Sequence, residues 1–271
     1  VVILSKRARI LLFVAMMLGL AVIYVPLLVV VVNSFNSSRT FGWPPTGFTL
    51  EWWARTVDNA GMLQALLTSV EAGVGATLVS LVLGTMAAFA VQRFTFFGRD
   101  AISLLIVLPL ALPGVVTGIA LNNAFRAVLM PFGIPLGLFT VIVGHATFCI
   151  VIVYNNVLAR LRRLGGSLEE ASMDLGADVF QTFRFVTFPL IRTALLSGGL
   201  LAFALSFDEI IVTTFTAGPG VTTLPIWIFS NLFRPNQAPV INVVAAALVI
   251  LSVLPVWLAT RVGGESAGGR I

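Results

Sequence analysis

The sequence predicts an all-α membrane protein with six transmembrane helices. Three observations lead there. Of 271 residues, 58% are hydrophobic and 10% charged, whereas soluble domains carry roughly 25% charged residues. The mean hydropathy of +1.04 is too apolar for a water-facing surface. Six stretches approach or exceed the roughly 20 apolar residues a helix needs to cross a hydrocarbon core about 30 Å thick. This composition excludes a soluble enzyme, a disordered tail and a nucleic-acid binder. The excess of 16 Lys+Arg over 11 Asp+Glu is small, and the lone cysteine, Cys149, excludes an internal disulfide.

The expected spans are 10–32, 62–91, 101–125, 136–159, 193–215 and 240–260, in a single domain covering residues 1–271. The first follows Lys6, Arg7 and Arg9, as a signal peptide would. Its apolar run outlasts the roughly 7–15 residues of a secretory segment and no small-residue cleavage site follows, so a retained helix is expected. The second carries Glu71. The third contains Pro109 and Pro113, which fit either a broken backbone lining a cavity or a packed kink. The fifth carries Asp208 and Glu209 side by side.

Basic residues in short loops set orientation. With six spans, one side holds Lys6, Arg7, Arg9, Arg93, Arg99, Arg160, Arg162, Arg163, Arg184, Arg192, Arg261 and Arg270, and the other holds Arg39, Arg55, Arg126 and Arg234. The 12 to 4 split places both termini in the cytoplasm. The outer loop 33–61 is rich in aromatic residues, including Phe35, Phe41, Trp43, Trp52 and Trp53. It reads as an interfacial belt or as a docking surface for an external partner.

The inner loop 160–192 carries the most informative pattern. Ser167 and Glu170 have capping-box spacing, and Glu169 and Glu170 suit a helix N-terminus. Leu168, Ala171 and Leu175 share a face, and Gly176 ends the helix. Asp178 is placed to cap a second helix bearing Val179, Phe183 and Val186 on one face, and Pro189 marks the start of the fifth span.

Glu170-Ala171-Ser172, Gly176, Val186 and Phe188-Pro189 resemble the EAA loop of ABC importer permeases. That pattern is Glu-Ala-Ala, three residues, Gly, nine residues, then Ile-x-Leu-Pro, and the spacing agrees throughout. Ser172 replaces the second Ala, Val186 the Ile and Phe188 the Leu. Leu108–Gly114, Gly144–Phe148 and Leu205–Phe215 resemble the spermidine/putrescine-type second permease subunit. The resemblance implies the type I ABC importer permease fold, of binding-protein-dependent transport inner-membrane components, in a bacterial inner membrane. It also implies that Glu169, Glu170, Ala171, Ser172, Leu175, Gly176, Ala177, Phe180 and Pro189 form an ATPase-coupling surface. The implied partners are a homologous second permease, two copies of a cytoplasmic ATPase, a periplasmic or lipid-anchored substrate-binding protein and membrane lipid.

The single lysine, Lys6, lacks the glycines of a phosphate-binding loop. The chain is therefore expected to bind no cofactor and catalyse no reaction, with ATP and Mg held by the partner. A carboxylate at mid-bilayer is costly and must face protein or a watery cavity. Asp208, Glu209, Glu71, Asn122 and Asn123 are the candidate substrate-pathway residues. The two acids also fit a structural pair bonded to neighbouring helices. His145 and Cys149 share a helix face, where packing is a simpler reading than a metal pair. The rival to an ABC permease is a self-sufficient secondary transporter or channel using the buried carboxylates, which leaves the inner loop unexplained. An intramembrane protease finds no paired catalytic groups.

The topology is directly testable. Gly47→Cys is expected to react with an impermeant thiol reagent in intact cells; reaction only after lysis would invert the assigned orientation.

Overall fold

The computed structural model describes residues 5–40, 42–234 and 237–267, with side chains described as far as Ser252. Phe41, Arg270 and the side chain of Arg261, used in the arguments above, lie outside the described residues. The helices among the described residues are α1 (Lys6–Asn33), α2 (Glu51–Val57), α3 (Ala60–Arg93), α4 (Arg99–Ala111), α5 (Gly114–Val128), α6 (Leu138–Leu164), α7 (Ser167–Asp174), α8 (Val179–Thr182), α9 (Phe188–Phe207), α10 (Ile211–Thr216), α11 (Leu224–Leu232) and α12 (Ala238–Ala267). A π-helical turn, Phe183–Thr187, joins α8 to α9.

Among the described residues, five stretches are long and apolar enough to cross a membrane: Lys6–Asn33, Ala60–Arg93, Gly114–Phe132, Leu138–Leu164 and Val179–Phe207. The stretch 240–260 lies in α12, which is apolar through Ser252. The stretch 101–125 differs from expectation because it is two helices. Pro113 disfavours the α conformation at the residue before it, and Leu112 is extended, with ψ 143°. The helix stops at Ala111 and restarts at Gly114.

The described chain forms two compact units, one from its two ends, up to Ala60 and from Ile228, and one from Gly61–Trp227. In the first, α1 and α2 pack on α12. The loop after α1 folds around Asn36. Its Oδ1 accepts from the backbone N–H of Ser38 at 3.1 Å and of Thr46 at 3.2 Å. The Trp52 indole donates to the Asn36 carbonyl at 3.0 Å, and Phe35 stacks on Trp53 with centroids 5.4 Å apart. Part of the aromatic set is thus the loop's own core, while Trp43 and Phe48 remain exposed.

In the second unit α6 is the hub, packing chiefly on α9 and also on α4 and α10. Its buried face carries Phe148, Cys149, Val153, Tyr154, Val157 and Leu161, against Ala88 and Val91 of α3, Ile191 and Ala202 of α9 and Val212 of α10. The Tyr154 hydroxyl meets the Ser103 hydroxyl of α4 at 3.1 Å. Small residues set how closely these helices approach, as is usual where lipid supplies no hydrophobic drive. At Gly84 a Cβ would lie 2.9 Å from the Ile150 carbonyl oxygen and 3.0 Å from Val153 Cβ. Backbone cannot move aside as a flexible side chain does, so Gly84→Leu is expected to force α3 from α6. Overpacking of this kind should lower the melting temperature in detergent by about 5 °C; an unchanged melting temperature would show that the α3–α6 contact contributes little.

Candidate functional site

The connection between α6 and α9 is a folded object with a base and a tip. After Gly165, α7 begins at Ser167 with Gly166 as N-cap and no side-chain capping bond. The expected Ser167–Glu170 capping box is therefore absent. Glu169 is engaged elsewhere: its Oε1 accepts from Arg93 Nη2 at 2.6 Å and from the Thr187 hydroxyl at 2.8 Å. Arg93, the last residue of α3, also donates to the Gly165 carbonyl at 3.2 and 3.3 Å. Arg160 Nε donates to the Leu190 carbonyl at 2.8 Å, which ties α6 to α9 beside it.

The far end of α7 closes in a Schellman motif. The Gly176 N–H donates to the Met173 carbonyl at 2.9 Å and the Ala177 N–H to the Ser172 carbonyl at 3.1 Å. This geometry places the residue after the C-cap in the left-handed region, and Gly176 has φ +87°. Asp178 then caps α8: its carboxylate accepts from the Gln181 N–H at 2.8 Å, and the Gln181 side chain accepts from the Asp178 N–H at 3.0 Å. The Ser172 and Thr182 hydroxyls meet at 3.2 Å across the turn. The result is a short, braced turn with an apolar tip, where Leu175, Val179 and Phe180 are 91%, 78% and 67% exposed.

The second helix of the connection departs from expectation. It is a single turn that runs through the π turn into α9, with Pro189 inside the first turn of α9. A proline ring in a helix collides with the carbonyl four residues back. The wider π turn lies just before it and accommodates it without ending the helix.

Within the apolar core, the stretch 193–215 is also interrupted. α9 stops at Phe207 with Asp208 as C-cap, and α10 starts at Ile211. The Glu209 carboxylate accepts from the Val212 N–H at 2.8 Å, capping the restarted helix. Buried His145 bridges the break, with Nδ1 2.7 Å from the Ser206 hydroxyl and Nε2 2.8 Å from the Thr213 hydroxyl. Thr213 uses its own proton on the Glu209 carbonyl, so it accepts from Nε2–H. Asn122 Nδ2 donates to the Phe215 carbonyl, and its Oδ1 accepts from Arg126 Nε at 2.8 Å. Thr140 donates to the Thr216 carbonyl at 2.7 Å.

These contacts sort the pathway candidates. Glu209 and Asn122 use polar atoms to hold the interrupted stretch. Asp208, Asn123 and Glu71 are exposed. Asp208 and Glu209 do not lie on one continuous span as expected, because the helix ends at Phe207 and restarts at Ile211. Cys149 Sγ donates to the Ala202 carbonyl at 3.3 Å. Among the described residues no three His, Cys, Asp or Glu converge to hold a metal. Arg93, Thr187, Ser206 and Thr213 escaped the sequence reading, since each acts on a partner remote in sequence.

Long apolar helices, an interrupted core helix and one braced connection define a multi-pass helical membrane protein. The chain belongs to the family of binding-protein-dependent transport system inner membrane components, whose model matches residues 80–263. It is 37% identical over 240 residues to the putrescine transport system permease protein PotI of Escherichia coli strain K12, covering 87% of this chain and 84% of that protein. It is 32% identical over 250 residues to the spermidine/putrescine transport system permease protein PotC of the same strain, covering 92% of each. The crystal structure of a bacterial ABC transporter involved in importing the acidic polysaccharide alginate shares its fold, with TM-score 0.69, 18% identity and coverage of 98% of this chain and 99% of that one. The protein is therefore a multi-pass inner-membrane transport permease of the type I fold.

The bridge across the break carries a prediction. His145→Leu strands the Ser206 hydroxyl and removes the tie between α9 and α10. Interhelical hydrogen bonds in membranes are worth roughly 0.6–2 kcal/mol each, so thermal stability should fall by a few degrees. A melting temperature equal to that of the unaltered protein would show that the bridge holds nothing.

Proposed function

We propose that this chain is one of two homologous permeases in an ATP-driven importer of polyamines or a related small amino compound. In this reading two copies of a cytoplasmic ATPase bind nucleotide and Mg and dock on the tip at Leu175–Phe180. A periplasmic or lipid-anchored binding protein delivers substrate from the other side. Both termini are cytoplasmic, and this chain performs no chemistry of its own.

One observation supports it above the rest: the connection is braced at its base and apolar at its tip. An exposed apolar tip on a rigid mount suits a groove in a soluble partner, and a stiff mount passes the partner's movement on. The names of PotI and PotC support a di- or polyamine as substrate. Asp208 adds to this, as an exposed carboxylate at a break in a core helix. A cation losing water there gains one charge interaction in a partly wet site, enough to help transit and too weak to trap.

The test is reconstitution with the ATPase, the second permease and the binding protein. ATP-dependent uptake of putrescine or spermidine is expected. Gly176→Trp, which puts a bulky side chain at φ +87°, should abolish the stimulation of ATP hydrolysis by loaded binding protein. Asp208→Asn should slow uptake about fivefold, the worth of one such charge interaction. Stimulated hydrolysis in the Gly176→Trp complex would refute the docking site, and a complex indifferent to both amines would refute the substrate.

A further inference from the structure

The base of the connection ties more of the molecule together than its tip does. Glu169 Oε1 holds Arg93 of α3 and Thr187 of the π turn at 2.6 and 2.8 Å. The Arg93 fork adds the carbonyl of Gly165, the residue after α6. One ion pair therefore joins α3, the end of α6, α7 and the root of α9. Both side chains are about one-fifth exposed, at 22% and 20%, so water and salt screen this pair less than a surface bridge. The planar guanidinium fork reaches both acceptors, which a lysine cannot match.

What surrounds the pair makes it mechanically important. Beyond it, α3 and the π turn are separated by an open apolar groove of about 580 Å³ lined by Val82, Met86, Phe89, Phe183 and Phe188. Phe89 and Phe183 touch edge to face across it, with centroids 6.0 Å apart. Below the groove, Ala88 and Val91 of α3 share a core with Ile191 of α9. The π turn, whose hydrogen bonds close wider rings than those of the α-helices either side, leads into α9. A displacement of α7 reaches α9 through the Glu169–Thr187 bond at the end of the π turn. It reaches α3 through a short charged bond to the end of a single helix of 34 residues, about 50 Å long.

We propose that Arg93 is a positioning residue that makes α3 a second transmission arm. Through Arg93 and Glu169, movement of the docking turn pulls α3 in step with α9. The proposal rests on the docking reading given above, and adds a residue and a route to it. An isolated structural brace would affect only how much complex forms. A transmission link sets how much substrate moves for each ATP spent.

The experiment uses the assembled, reconstituted complex. Uptake per ATP hydrolysed is measured for Arg93→Glu, Glu169→Arg and the double swap, each normalised to assembled complex. Each single reversal should lower that ratio roughly tenfold, the scale of one lost charged hydrogen bond. The double swap should return it to within about threefold of the unaltered complex, with the Gly165 contact still missing. Should reversal cost assembly, Arg93→Gln keeps a donor without the charge and is expected to lower the ratio at least about threefold. A normal ratio in either Arg93 variant would overturn the proposal. So would a double swap that assembles but is no better than the singles. If the unaltered chain binds no ATPase, the docking reading fails and the second arm with it. If the ATPase binds and the swap does not rescue, the arm alone fails.

Discussion

Hydrocarbon offers no hydrogen bonds, so every backbone N–H and C=O inside a bilayer must find its partner within the protein. That constraint explains why the chain is helical almost everywhere, and it explains the form of the places where it is not. At Leu112–Pro113 the missing partner is partly a missing donor, because proline has no N–H. Past it, the Pro113 carbonyl opens α5 by accepting from the Thr117 N–H at 3.1 Å. At Asp208–Ile210 the helix ends on its own Ala204 and Ser206 carbonyls and restarts under the Glu209 carboxylate. His145, Thr213 and Asn122 then fasten the restarted segment to its neighbours. An interruption next to an exposed Asp208 is affordable only because so many polar atoms close around it.

The same economy governs the connection between α6 and α9. A loop of this length could be loose, yet its base is tied down and both the end of α7 and the start of α8 are capped. Arg93 and Glu169 hold its base, the Schellman motif at Gly176 closes α7, and Asp178 opens α8. Stiffness is bought with polar contacts near the base, which leaves apolar side chains unpartnered at the tip. Rigidity at one end and adhesiveness at the other are what a coupling element requires. The π turn before Pro189 lies where α9 leaves the connection.

Much of this was legible where the signal is local. Apolar run lengths mark the long helices, and Gly176 and Asp178 carry their conformations in their own chemistry. Pro113 announces the break before α5. The interruption at Asp208–Ile210 was not read, because strongly apolar flanks on both sides invite one continuous helix. The run Ile210-Ile211-Val212-Thr213-Thr214 after two acids, all β-branched and weak in helices, was the available signal. Glu169 suits a helix start by its charge alone, and its bond to Arg93 spans 76 residues of sequence, beyond any local pattern. Pro189 marks the start of a new helix in the sequence, whereas a π turn lets the preceding helix run on through it. Trp52 read as an interfacial aromatic until its bond to the Asn36 carbonyl showed it to be loop core.

The central claim is that the tip from Leu175 to Phe180 is where a soluble ATPase takes hold of this permease. Amide hydrogen exchange over residues 167–182, compared with and without the ATPase bound, tests it most directly. The account predicts strong added protection centred on Gly176–Phe180, with little change in the amides of α6. Equal exchange at the tip in the two states, with the ATPase demonstrably bound, would contradict it.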